Sequence, residues 1–405
     1  MVKDIKIGIY GTNWNNKGAA TMIYVLVDQF SKKAAQDSRE VYFKIFLDAK
    51  YDKIGQTIKF PINTENVFWQ LGKIQFIKDF VLVFFYKITK RKFFLNSSFN
   101  LRKINECDFL IGADGYCFYD ANAIKAIIFS LSRILFSSFL GKNYYLFPQS
   151  FGPFHSKLRI FLLKLILGKA KRIYVRGKES QENLQGIVNK ELIICPDIAF
   201  LFDVPAEFHS KNYIEDFEES LQKIAIIPNI NLAKVRKEYI QLLTEFLKKL
   251  SNYNYRVFLI PHEIKKNKFD GLALCQQIYQ RLSGAERQKV KIIDDKNYTA
   301  NDYKAIINKM DIVTTSRFHG AVAALSQAIP VITLSWSFKY KELMSWFGLE
   351  DYNIDFNDFN SQKATDLVRI ANQNKNNLKA IISDKLPNIH QKLDKLFQDT
   401  YNENR

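Results

Sequence analysis

Apolar residues arrive in short unbroken runs, and between the runs lie longer stretches in which they recur at helical spacing. Runs of the first kind suit strands buried on both faces, and stretches of the second kind suit helices with one apolar stripe. Their regular alternation predicts parallel sheets flanked by helices. In the first half the predicted strands are KIGIYG, VYFKIFL, CDFLIGA, NYYLFPQ and RIYVRG; GAATMIYVLVDQFSKKA and residues 156–169 are predicted helices. In the second half IAIIPN, RVFLIPH, KVKII, DIVTTS and PVITLSW are predicted strands, with helices near 238–250, 269–282 and 300–308. A chain of 405 residues exceeds one comfortable core. The fold class expected is therefore α/β, two Rossmann-like doubly wound domains facing a cleft. The first covers 1–202 and the second 223–360, with the polar stretch 203–222 as linker and 361–405 as a helical tail.

In doubly wound sheets ligands gather beyond the carboxyl ends of the strands, and the loops there carry unusual residues. After the first strand, GTNWNNKGAAT brings Asn16, Lys17 and Gly18 to a helix start, where free N–H groups and the lysine offer an anion or hydroxyl site. Its glycine spacing is not that of a dinucleotide-binding turn. Asp114 follows the third strand in GADGYCFYD, and Gln149 and Ser150 lie in FPQSFGPF, a turn stiffened by two prolines. Arg176 closes the fifth strand. Burying an arginine is costly unless it meets an anion, either a ligand or a neighbour such as Glu179. His262 caps a second-domain strand in LIPHE, where it lines the cleft or satisfies a turn.

The stretch TTSRFHGAVAALSQAIPVITLSW, residues 314–336, is one tight strand–helix–strand unit with Arg317, His319 and Gly320 at its first turn. If that turn starts extended, Arg317 and His319 point the same way, about 6–7 Å apart. Arginine supplies a fork for carboxylate or phosphate, and histidine exchanges a proton near neutrality. Gly320 allows close backbone approach, and Lys339 beyond the next strand adds a third cation.

The formal charge of +18 favours anionic company. No nucleic-acid reader motif is present, so nucleic acid is not an expected partner. Two basic segments, 74–95 and 156–172, mix Lys and Arg with Phe, Leu and Ile at helical spacing. Helices lying on an anionic membrane have this pattern, and so do core helices with a basic outer face. The start MVKDIKIGIYGT reads as a strand, and the longest apolar run, 126–141, is shorter than the roughly 20 residues a span requires. A cytoplasmic protein, peripheral on the inner membrane face, is the expectation. The four cysteines show neither metal nor disulfide spacing, and neither metal nor cofactor is expected.

Taken together, NNKGAATMIY, DFLIGADGYCFYD, QSFGPF, YVRGKES with CPDIAF, IPHE and the block from DIVTTSRFHG to MSWFGL resemble the polysaccharide pyruvyl transferase family. The resemblance implies a GT-B-like fold and transfer of pyruvate from phosphoenolpyruvate onto two hydroxyls of one sugar, giving a ketal and phosphate. The acceptor it implies is a polysaccharide or a lipid-linked glycan intermediate. By motif, the family's arginine and histidine are Arg317 and His319, its second arginine is Arg176, and its lysine is Lys339. The family's triple-glycine turn reads Gly112-Ala113-Asp114-Gly115 here, which bears on the choice of acceptor. Two other readings stay open: a nucleotide-sugar glycosyltransferase, to which the spacing of Glu342 and Glu350 corresponds, and a non-catalytic scaffold at the membrane surface.

Overall fold

The computed structural model describes residues 4–48, 63–69, 73–209, 221–263, 269–294 and 298–405. Two compact units emerge from the chain. One comprises Met1–Trp14, Met22–Ile198 and Gln391–Arg405; the other comprises Asn15–Thr21 and Ala199–His390.

The first unit holds a sheet of β1 (Ile5–Tyr10), β2 (Val41–Asp48), β3 (Thr64–Trp69), β4 (Phe109–Gly112), β5 (Asn143–Gln149), β6 (Arg172–Val175) and β7 (Leu192–Ile194). All pairs are parallel, in the order β3-β2-β1-β4-β5-β6-β7. The order reverses between β1 and β4, where Ile7 lies opposite Phe109 and Ile9 opposite Ile111. These four side chains are fully buried because helices cover both faces of the sheet.

The second unit repeats the design with β8 (Gln222–Ile227), β9 (Tyr255–Leu259), β10 (Val290–Ile292), β11 (Ile312–Thr315), β12 (Val331–Ser335) and β13 (Asn353–Asp355). Its parallel order is β10-β9-β8-β11-β12-β13, with the reversal between β8 and β11. A doubly wound sheet opens its binding crevice at such a reversal, so the ends of β1, β4, β8 and β11 are the places to look for chemistry.

All ten predicted strands form. Three further strands, β3, β7 and β13, lie at sheet edges. They pair on one side alone and need no continuous apolar run, so periodicity passes over them. Basic segment 74–95 becomes helices Lys73–Thr89 and Lys92–Asn96, broken where Lys90 takes the left-handed conformation (φ 59°). Segment 156–172 becomes helix Lys157–Ile166, the 3-10 turn Leu167–Lys169 and the start of β6. Within the expected linker, Ala206–His209 is helical, and 210–220 lie outside the described residues. The tail forms helices Ser361–Gln373 and Lys375–Asn402. Its last part belongs to the first unit, where Phe397 is buried between Phe30 and Phe147 and the Tyr145 hydroxyl donates to Glu403 at 2.9 Å.

Candidate active site

At the end of β11 the Thr315 hydroxyl accepts a hydrogen bond from the Arg317 amide at 2.9 Å. The Ser316 carbonyl accepts from Asn229 at 2.9 Å and from the Tyr340 hydroxyl at 2.6 Å. The turn is therefore fixed before Arg317 begins. Arg317 is extended (φ −110°, ψ 122°), but the helix Phe318–Leu325 starts at the next residue. His319 thus lies in the first helical turn, and the two-residue alternation expected of an extended turn does not hold. What fixes the two side chains is their separate surroundings.

Arg317 is buried and its guanidinium donates to the Glu263 carboxylate at 3.1 Å. Glu263 follows His262 past the end of β9 and forms an isolated antiparallel bridge with Asn16. Asn16 also caps helix Lys17–Gln36: its side-chain oxygen accepts from the amides of Gly18 (3.0 Å) and Ala19 (3.3 Å). The same oxygen lies 3.1 Å from Nε2 of His262. An oxygen that already accepts two N–H groups bonds this imidazole if Nε2 carries the hydrogen, which leaves Nδ1 with its lone pair. Burial holds the His262 pKa well below the usual imidazole range, and Arg317, His319 and Lys17 reinforce the shift. His262 is consequently neutral, with the three cationic or titratable side chains close enough to act on it.

His319 lies against Gly18. A Cβ at Gly18 would fall inside the imidazole ring, so no larger residue fits there without moving it. Lys17 donates to the Tyr298 carbonyl and stands 4.6 Å from the Tyr298 ring centroid. Tyr303 meets the His262 ring edge-to-face at 5.1 Å. A small cavity of about 10 Å³, the room of a single water, is lined by Gly18, Tyr303, Lys304 and His319 among others. The Lys304 ammonium donates to the Phe202 carbonyl, and burial brings its pKa down to about 8. A Cβ at Gly320 would approach Thr315 Oγ1 to 2.8 Å. Lys339 is buried at the start of the next helix, its ammonium 4.3 Å from the Trp336 ring centroid with Phe318 and Tyr340 nearby.

The remaining sequence-predicted residues lie in the first unit. Asp114, after β4, pairs with Arg133 at 3.0 Å. Arg133 comes from the apolar helix Ile124–Phe139 and stacks over the Tyr10 ring at 5.1 Å. The acidic side chain in the family's bare turn thus has its own counter-ion, and it crowds Gly11, where a Cβ would lie 2.5 Å from the Asp114 carboxyl carbon. Gln149 and Ser150 are fully buried at the end of β5, and among the described residues the Gln149 side-chain amide has no hydrogen-bond partner. Arg176 is buried, pairs with Asp197 and donates to the Gly115 carbonyl at 3.1 Å. The anion recorded beside it is a protein carboxylate. Among the described residues no group of three or more His, Cys, Asp or Glu side chains is placed to hold a metal ion.

Sequence reasoning missed Glu263, Tyr303, Lys304, Asp197 and Arg133. Glu263 stands beside His262 in IPHE and Asp197 stands in CPDIAF, so both were within reach of the motifs. Tyr303, Lys304 and Arg133 are single positions on helices whose neighbours are contributed by remote loops, and spacing alone does not reveal them.

A family model described as polysaccharide pyruvyl transferase matches residues 36–338. The chain belongs to the polysaccharide pyruvyl transferase family. The matched region includes Asp114, Gln149, Ser150, Arg176, His262, Arg317, His319 and Gly320; the loop with Asn16, Lys17 and Gly18 precedes it, and Lys339 follows its last residue. No curated protein matches the sequence. Among solved structures the chain is similar to S. aureus MnaA in a UDP co-structure (TM-score 0.59, 11% identity, 95% of this chain and 91% of that one). It is also similar to UDP-GlcNAc 2-epimerase from Neisseria meningitidis bound to UDP-GlcNAc (0.58, 10%, 100% of both chains). A third is the glycotransferase of kitacinnamycin (0.57, 9%, 100% of both). At such low identity these likenesses establish the two-domain α/β fold of GT-B glycosyltransferases and epimerases, and nothing about ligands.

Proposed function

We propose that this transferase moves pyruvate from phosphoenolpyruvate onto two hydroxyls of one sugar, in a polysaccharide or a lipid-linked glycan intermediate, and releases phosphate. The observation that carries this reading is the gathering of Lys17, neutral His262, Arg317 and His319 around the end of β11 in a member of this family. Arg317, held at one edge by Glu263, offers its remaining donors to the carboxylate or phosphate of the donor. Lys17 adds positive charge at a helix start.

His319 gives a proton to the terminal enol carbon, which becomes a methyl group, and the adjacent carbon becomes cationic. One sugar hydroxyl adds to that carbon and gives up its proton. The second hydroxyl then adds as the carbon–oxygen bond to phosphate breaks. Of the two hydroxyl protons, one restores the histidine and one leaves with phosphate, so the reaction needs no other reactant. His262 is neutral, so it adds no charge beside the donor, and its Nε2 lies 3.1 Å from the Asn16 cap. No metal enters the scheme.

The nucleotide-sugar reading draws on fold likeness. Its glutamate pair is divided between Glu342, buried in helix Lys339–Ser345, and Glu350, exposed in a 3-10 turn. Incubation with phosphoenolpyruvate and a panel of sugars, read by phosphate and product mass, tests the reaction. Wild type is expected to give equimolar phosphate and ketal, and His319→Ala to lose turnover at least about a hundredfold. Wild-type turnover in His319→Ala rejects the proton-donor role.

A further inference from the structure

In the first unit, helix Ile124–Phe139 packs against both helix Lys73–Thr89 and helix Lys157–Ile166, so two basic segments far apart in sequence share one helical layer. Phe76 of the first basic helix meets Phe129 edge-to-face at 5.5 Å. Each basic helix turns an inner stripe to the core, where Val83 and Leu163 are fully buried. A core helix with a basic solvent face accounts for that stripe. It does not account for the outward one.

The outward stripe is itself apolar. Ile74 is 85% exposed, Phe93 71%, Phe161 61% and Leu158 59%, with Phe84 and Leu165 also exposed. Interleaved with them are exposed cations, among them Lys78, Lys87, Arg91, Lys157 and Lys164. Across 73–96, 121–142 and 156–172 Asp79 is the single acidic residue. It is buried, its carboxylate taken by Ser98, Asn100 and Gln75 at 2.6 Å each. The layer therefore presents large apolar side chains among exposed cations, with Asp79 buried and Asp120 tied to Arg159 at 3.3 Å. Large apolar side chains exposed in such number on neighbouring helices mark an interaction surface.

We propose that this helical layer docks on an anionic lipid bilayer, with the Phe, Leu and Ile side chains entering the headgroup–acyl boundary and the lysines and arginines meeting lipid phosphates. Charge complementarity selects this occupant: a face with a strong cationic excess is repelled by a second copy of itself and attracted by an anionic leaflet. No helix among the described residues is long and apolar enough to cross the membrane, so the attachment is lateral. The proposal does not depend on the identity of the pyruvyl donor.

Co-sedimentation of the full chain with phosphatidylcholine vesicles, with and without phosphatidylglycerol, tests it. Binding is expected on the phosphatidylglycerol vesicles alone and declines as salt is added. Lys87→Gln with Arg91→Gln is expected to weaken partitioning about fivefold for each charge removed. Phe84→Ser with Phe161→Ser is expected to abolish it while circular dichroism and thermal midpoint stay unchanged, since both residues are exposed. Absence of binding to phosphatidylglycerol vesicles overturns the proposal. So does binding insensitive to both variants, or a dimer in sedimentation velocity that the Phe variants dissociate.

Discussion

Gly18 shows how a single absent atom positions the chemistry. Nothing in the backbone conformation of that position demands glycine; the His319 ring does, by occupying the space a Cβ would take. Gly18→Ala is expected to leave the protein folded, to preserve phosphoenolpyruvate binding through Arg317, and to lower kcat about a hundredfold because the imidazole is displaced. Steady-state kinetics beside calorimetric donor binding separates the two, and unchanged kcat contradicts the placement. His262 makes a second residue-scale prediction. Its folded pKa is depressed by burial, then by Arg317, His319 and Lys17. Between that value and the unfolded value near about 6.5, the unfolded chain binds more protons, so stability rises with pH. The contribution is complete above the unfolded value and is lost as pH falls below it, by up to about 1.4 kcal/mol per pH unit. In His262→Gln, denaturation midpoints between pH 8 and 5 are expected to fall less steeply than in wild type; parallel profiles contradict the assignment.

At the scale of elements, the central strands and the edge strand β10 were legible, and the other three edge strands were not. β1, β4, β8 and β11 lie between neighbours and under helices, so their sequences are nearly continuous apolar runs. β3 begins Thr-Glu-Asn, and β7 (Leu-Ile-Ile) and β13 (Asn-Ile-Asp) are three residues each, too short to stand out. The site was legible to the extent that strand ends mark it. Arg317, His262, His319 and Asn16 were all named from their loops, and the structure brings them near one another, His262 to Asn16 at 3.1 Å and Arg317 to Glu263, the residue after His262. The partners of Arg317 and Arg176 come from loops distant in sequence, which no local pattern encodes. The last helix carries its own prediction. Phe397 is fully buried in the first unit against Phe30 and Phe147, so Phe397→Ala is expected to cost about 3–5 kcal/mol in chemical denaturation. A loss below about 1 kcal/mol contradicts the assignment of this segment to the first unit's core.

For the molecule as a whole, the two doubly wound units differ in the residues that stand at their strand ends. In the second unit Lys17, His262, Arg317 and His319 lie near the end of β11, the set on which the proposed reaction rests. The first ties its charged residues into internal pairs, Asp114 with Arg133 and Arg176 with Asp197, which stiffen loops around buried Gln149 and Ser150. Phosphoenolpyruvate is the donor in the proposed reaction, and a nucleotide sugar is the donor in the alternative one. Calorimetric titration of the protein with phosphoenolpyruvate and, separately, with UDP-GlcNAc decides this most directly. Phosphoenolpyruvate is expected to bind wild type and to lose at least about tenfold in affinity in Arg317→Ala, with no heat from the nucleotide sugar. Binding of UDP-GlcNAc with none of phosphoenolpyruvate, or equal phosphoenolpyruvate affinity in the two proteins, contradicts the account.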